Sequence, residues 1–275
     1  MIIHPCHCRF IVGLLLSLCV LPQSNAAESE TKSTASGTTK PAVFKDCDVC
    51  PEMITLEGSS FQMGTPAKPA ESALTVTSEH PQHTVQIKSF AIGRFEITQA
   101  QWAAVVGTNI SSFAGPGLPV ESVAFEDVQE FLNKLSRKTG HHYRLPTEAE
   151  WEFAARCGSN TNYGFGDKVE DLAKHGWFAA NAEEKTHKVG EKLPNACGLY
   201  DMHGNIQEWT ADCWKDNYSE APGDGRAITS GLCSLRTVRG GTWYDPANKL
   251  RSASRQPHTN ATRSRFTGFR VVRDQ

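Results

Sequence analysis

NACGLYDMHGNIQEWTADCW, residues 195–214, crowds two cysteines, two glycines, two tryptophans and three acidic side chains into twenty positions. Asp201 and Glu208 offer carboxylates, and the backbone around Gly204 and Ile206 adds carbonyl oxygens on a tight, glycine-containing loop. Hard oxygen donors on such a loop are what calcium takes, about 6 to 8 of them in all. The same residues also suit a turn in which Asp201 and Glu208 only cap the backbone or face solvent. Spacing alone leaves both readings open.

At the N-terminus, Arg9 precedes the apolar run FIVGLLLSLCVL, and Ser24-Asn25-Ala26 supplies small residues for cleavage. This pattern predicts a secretory signal peptide over residues 1–26. The run is shorter than the roughly 20 apolar residues a membrane span needs, so no membrane insertion is expected. Residues 27–45, rich in Ser, Thr, Lys and Glu, cannot bury enough surface to offset their ordering entropy and read as a disordered linker. Residues 46–275 show no second linker and no fixed repeat, and read as one domain. The formal net charge of −2, with no basic run, argues against a nucleic-acid partner.

Six cysteines lie beyond the leader: Cys47, Cys50, Cys157, Cys197, Cys213 and Cys233. An even number in an exported chain predicts disulfides. Fifteen pairings are possible and the sequence does not choose among them. The expectation adopted is Cys47 with Cys50, Cys157 with Cys197, and Cys213 with Cys233; a redox or zinc role for the Cys47–Cys50 pair is the alternative.

Helix signals are few. Thr147 followed by Glu150 makes a capping box ahead of a helix to about Arg156. Phe125, Val128, Phe131, Leu132 and Leu135 recur at helical spacing before Gly140, and Thr98 caps a third helix containing Trp102 and Val105. The runs MITLEG, HTVQIKSFAIG, RTVRGG and GFRVVRD suit strands. Together these predict an irregular, loop-rich α+β domain.

The blocks GSSFQMGT (58–65), FAIGRFEITQAQW (90–102), PVESVAFEDVQEF (119–131), YRLPTEAEWEFAAR (143–156), GLYDMHGNIQEW (198–209), RGGTW (239–243) and GFRVVRD (268–274) occur in that order. In this they resemble the formylglycine-generating enzyme, or sulfatase-modifying factor, family. The resemblance implies a fold related to C-type lectins. It also implies structural calcium on Asp201 and Glu208 through side chains and on Gly204 and Ile206 through carbonyls. A second calcium site would fall near Trp177 to Glu191, with no ligands that can be named.

In family members that make formylglycine, the segment after the glycine pair carries two cysteines that bind copper(I). Here the first position matches Asp245, and the second falls in a shortened loop around Ala247 to Lys249. A carboxylate is a hard ligand and does not replace a thiolate on copper(I), so no copper is expected. Thr242 matches the serine beside the metal, Gln207 stands where a tryptophan is frequent, and Phe266 stands where a pocket asparagine is found.

The chain therefore resembles a member lacking the copper cysteines, like the periplasmic relative that matures the pyoverdine chromophore. The stretch RGGTWYDPANKLRSASR (239–255) is expected to floor a substrate pocket, with Asp245 and Thr242 as catalytic candidates and Trp243, Tyr244, Gln207 and Arg255 as pocket residues. Arg251, Arg255 and Arg270 also suit a structural role, pairing with carboxylates inside a loop-rich fold, and for Arg255 and Arg270 that reading is favoured. Two functions follow. One is a periplasmic, monomeric enzyme that oxidises a small or peptide-derived substrate such as a siderophore chromophore, with a carboxylate as general base. The other is a non-catalytic, calcium-stabilised module that presents Trp243 and Tyr244 to a ligand or partner; fold does not decide between them.

Overall fold

The computed structural model describes residues 42–66, 77–231 and 233–275. The expected leader, and all but the last four residues of the expected linker, lie outside them. The first strands are β1 (Val43–Phe44), β2 (Met53–Leu56), β3 (Ser60–Met63), β4 (His83–Gln86) and β5 (Phe90–Gly93). Helices α1 (Gln99–Val106) and α2 (Phe125–Thr139) follow, then β6 (Tyr143–Arg144), α3 (Glu148–Arg156) and the single turn α4 (Leu172–His175). The chain closes with β7 (Gln207–Cys213), β8 (Leu235–Arg239), β9 (Arg255–Thr259), β10 (Thr267–Gly268) and β11 (Val272–Arg273). The result is a mixed α+β domain with few helices and short strands.

Three sheets organise these pieces. The first runs β1-β2-β5-β11-β6, the second β10-β7-β8-β9, and β3 pairs with β4 alone. β11 sits between β5 and β6, pairing Val272 with both Ile92 and Arg144, so the last of these strands lies inside the first sheet. β1 pairs Val43 with Ile54, which places residues of the expected linker within the folded unit.

Local chemistry accounts for the helices. Thr98 and Thr147 each accept from the backbone three residues on, while Gln101 and Glu150 reach back to the cap, so two orphan donors are satisfied at each helix start. α2 opens with Asp127 accepting from the Ala124 amide and buries Val128, Phe131, Leu132 and Leu135. Trp102 of α1 stacks on Phe131 with ring centroids 5.4 Å apart, and Phe269 packs edge-on against both. The disulfides are Cys47–Cys50, Cys157–Cys197 and Cys213–Cys233, the pairing expected.

Between the sheets lies Arg270, fully buried. Its Nε and Nη2 donate to Glu208 of β7 at 2.7 Å each, its Nη1 to the Gly93 carbonyl of β5, and its Nη2 also to the Tyr200 carbonyl. Glu208 also accepts from Trp151 Nε1 of α3 at 2.8 Å. One ion pair thus ties both main sheets, a helix and the 195–206 loop together. Removing one partner leaves an uncompensated buried charge, so Arg270→Met and Glu208→Gln should each lower stability by about 3–5 kcal/mol. Urea unfolding reads this directly, and a loss under about 1 kcal/mol in both variants would show that the pair does not hold the sheets.

Candidate functional site

Gly240 and Gly241 carry the chain from β8 toward the expected site with φ of 100° and 72°. A Cβ on Gly241 would stand 2.9 Å from Leu250, and one on Gly240 3.2 Å from Trp151. Residues 242–245 then form a turn held by its own side chains. Asp245 Oδ2 accepts from the Thr242 amide at 3.0 Å and from the Thr242 hydroxyl at 2.7 Å, while the Asp245 amide donates to the Thr242 carbonyl. The hydroxyl in turn accepts from the Tyr244 amide. Asp245 Oδ1 makes no side-chain or backbone bond among the described residues.

This turn forms one wall of a cleft of about 230 Å³ whose floor carries Gln207 and whose far wall carries Gln256 and His258 of β9. Tyr244 and Phe266 stand at its mouth with ring centroids 5.9 Å apart, and Tyr244 is 61 % exposed. The Gln207 amide donates to Thr267 Oγ1 and to His258 Nε2, both at 2.9 Å. Burial pushes the His258 imidazole below its ordinary value, so the ring is neutral at pH 7.

The structure thus brings Asp245, Thr242, Tyr244 and Gln207 together. It places two other candidates elsewhere. Trp243 is buried behind the cleft, between Phe113 and Phe266, and supports the mouth from beneath. Arg255 is not a pocket residue. Its guanidinium grips Glu148 at 2.6 and 2.8 Å and donates to the Ser78 and Lys215 carbonyls. Strand parity is the reason: neighbours on β9 point to opposite faces, so Arg255 enters the core while Gln256 and His258 face the cleft. Sequence reading missed His258 because β9, with Pro257 inside it, was not recognised as a strand.

A second cluster lies under the 195–206 loop, where Asp201 and Asn205 adopt positive φ. Asp201 is buried; its Oδ2 accepts from the Gly190 amide at 2.7 Å and its Oδ1 has no partner. Glu96 is also buried, accepting from Asn205 Nδ2 and the Ile206 amide. Burial, with the charges of Asp201 and Glu208, holds Glu96 well above the usual carboxylate range. Burial likewise pushes Asp201 up to about 6. Three buried carboxylates share one guanidinium here.

These residues suit a hard cation. Asp201 Oδ1 is an orphaned acceptor, and Glu208, which accepts three bonds, retains a lone-pair site on Oε1. The region from Trp177 to Glu191 offers less: Asn181 is consumed by the Phe178 amide and the Gly176 carbonyl, and the His187 ring stacks on Trp177. The cleft itself does not fit copper(I), since its donors are oxygens and one imidazole, and the six cysteines of the described residues are all in disulfides.

Residues 39–275 match the sulfatase-modifying factor enzyme 1-like domain. The chain belongs to that family. Among solved structures it is similar to PvdO from Pseudomonas aeruginosa, with 37% identity, a TM-score of 0.78, and coverage of 86% of this chain and all of that one. Treponema denticola variable protein 1 is also similar, with 27% identity and a TM-score of 0.76 over 86% of this chain and 100% of that one. Among curated relatives, the chaperone protein LppX of Paenibacillus barcinonensis is 28% identical over 73% of this chain and 81% of its own length. The inactive C-alpha-formylglycine-generating enzyme 2 of Bos taurus is 27% identical over 80% and 87%. Family membership therefore does not by itself carry formylglycine synthesis, and the missing thiols argue against it here.

Proposed function

We propose that this protein is an exported, periplasmic member of the family that oxidises a small or peptide-derived substrate, such as a siderophore chromophore precursor, with Asp245 as general base. The observation that carries the reading is the cleft. Where the resemblance puts the family's chemistry, it presents a carboxylate with one free oxygen, locked in place by Thr242, beside two aromatic faces. A base must be held within hydrogen-bond reach of the proton it takes, and the Thr242–Asp245 turn supplies that rigidity. Asp245 Oδ1 accepts a proton from the substrate. The electron pair left behind forms a new double bond as two electrons and a second proton leave. Dioxygen accepts the electrons and, with both protons, becomes hydrogen peroxide. The similarity to PvdO, over the whole of that chain, supports this placement.

Ligand binding without turnover is the second reading, and the shape of the cleft favours it. At about 230 Å³ it is smaller than the roughly 300–1,000 Å³ of most small-molecule sites, and Tyr244 stands out from its rim. Relatives named as a chaperone and as an inactive enzyme point the same way.

Oxygen uptake and peroxide release, measured with a panel of exported siderophore precursors, separate the two. The enzyme reading expects turnover that Asp245→Asn abolishes while the melting temperature stays within about 2 °C, as for a surface change. Full activity in Asp245→Asn would remove the base, and no uptake by the wild type on any precursor would leave the binding module.

We also propose calcium at Asp201, Glu208 and the Gly204 and Ile206 carbonyls as a structural ion; it would neutralise the surplus buried charge. Chelation should then lower the melting temperature by roughly 5–10 °C. Asp201→Ala should start lower and show no further drop with chelator. An unchanged wild-type melting curve would show that no such ion is held.

A further inference from the structure

We propose that the substrate group entering this cleft is a protonated amine. The inference deepens the reading of the cleft as the functional site, and it holds whether the site turns its ligand over or only binds it.

Charge comes first. Of the residues lining the cleft, Asp245 is the one acidic side chain, and no lysine or arginine is among them. His258 adds no charge, and both of its ring nitrogens already face neighbours: Nε2 the Gln207 amide, and Nδ1 the Thr267 hydroxyl at 3.4 Å. The cleft therefore carries a net negative charge, with the free Oδ1 of Asp245 as its strongest open acceptor.

The walls agree with this. Tyr244 and Phe266 present aromatic faces at the mouth, and a ring face attracts a cation. Phe266 already does so with the exposed Arg265 guanidinium, which lies 5.2 Å from its centroid and 5.2 Å from that of Trp243. Arg265 is not in the cleft lining, and it bonds neither Asp245 nor any other lining carboxylate. A carboxylate or phosphate ligand would meet Asp245 with no cation to compensate. A neutral alcohol would gain one hydrogen bond and no Coulomb attraction. An ammonium satisfies Oδ1 and both rings at once.

This also gives the proposed base its proton. The N–H of an amine held at Oδ1 is the hydrogen Asp245 removes; the nitrogen lone pair then forms C=N as the α-carbon C–H bond breaks, and dioxygen takes the two electrons and, with both protons, becomes hydrogen peroxide.

Three probes of one shape test the charge preference: benzylammonium, benzyl alcohol and benzoate, titrated into the full mature protein and followed by NMR at the Tyr244 and His258 ring resonances. Benzylammonium should bind roughly tenfold more tightly than benzyl alcohol, with benzoate weakest. Asp245→Asn should bring the amine down to the alcohol. Tyr244→Ala, at an exposed position, should weaken all three and preserve their order. Raising the salt should erode the amine's advantage in the wild type, a check that needs no variant to fold. Equal binding of benzoate, an amine preference that survives Asp245→Asn or high salt, or no binding of any probe overturns the inference. Because no turnover is measured, a missing oxidase activity leaves it standing.

Discussion

The buried pairing of Arg270 with Glu208 is the constraint on which the rest of this domain depends. Arg270 follows Phe269 between the short strands β10 and β11, where only two residues of each strand make ladder bonds. Such short strands offer few ladder bonds to hold this segment in place. The guanidinium adds bonds to β5, β7 and the Tyr200 carbonyl, and through Glu208 it reaches α3. The cost is a surplus of negative charge. Burial first, and the neighbouring carboxylates second, drive Glu96 and Asp201 upward in pKa, a surplus that protons or a cation would offset.

The same device recurs wherever loops replace ladders. Arg255 holds Glu148, Arg239 holds Glu152, and Arg251 holds Glu79 at 2.6 and 2.7 Å. Each pair joins segments far apart in sequence, and each arginine also bonds backbone carbonyls or sits against them. Buried guanidinium groups with several carbonyl partners satisfy acceptors that irregular backbone leaves open. The arginine-rich stretch after the glycine pair therefore serves the scaffold, and the cleft is left with little positive charge of its own.

The capped helices were legible because their signals are local. Thr98, Thr147 and Gly140 announce their ends within four residues, and the apolar residues of α2 repeat at helical spacing. β7 was not legible, since it is buried on both faces and its QEWTADC lacks the alternation that marks a half-exposed strand. The run HTVQIKSFAIG reads as one strand, yet the chain uses it as two, β4 and β5, in different sheets. Pairing across such a break is a non-local choice. Asp245, Thr242 and Gln207 could be picked out because they stand at positions where the resemblance expects other residues. His258 carries no such mark, and only the parity of β9 reveals it.

That parity explains how the cleft can change its chemistry without disturbing the fold. On β9 the core-facing Arg255 is bound into an ion pair, while Gln256 and His258 line the cleft, His258 with its ring edge-on to the buried Trp209. After the glycines, Trp243 points inward to the aromatic cluster and Tyr244 outward to solvent. Thr242 and Asp245 close a turn through bonds to one another. The side chains of Thr242 and Asp245 therefore bond only within their own turn. A thiolate pair can be lost from such a position, and a carboxylate gained, at little cost to the scaffold. What changes is the chemistry of the donors: the soft thiolates that hold copper(I) in family members that make formylglycine are replaced here by a hard carboxylate.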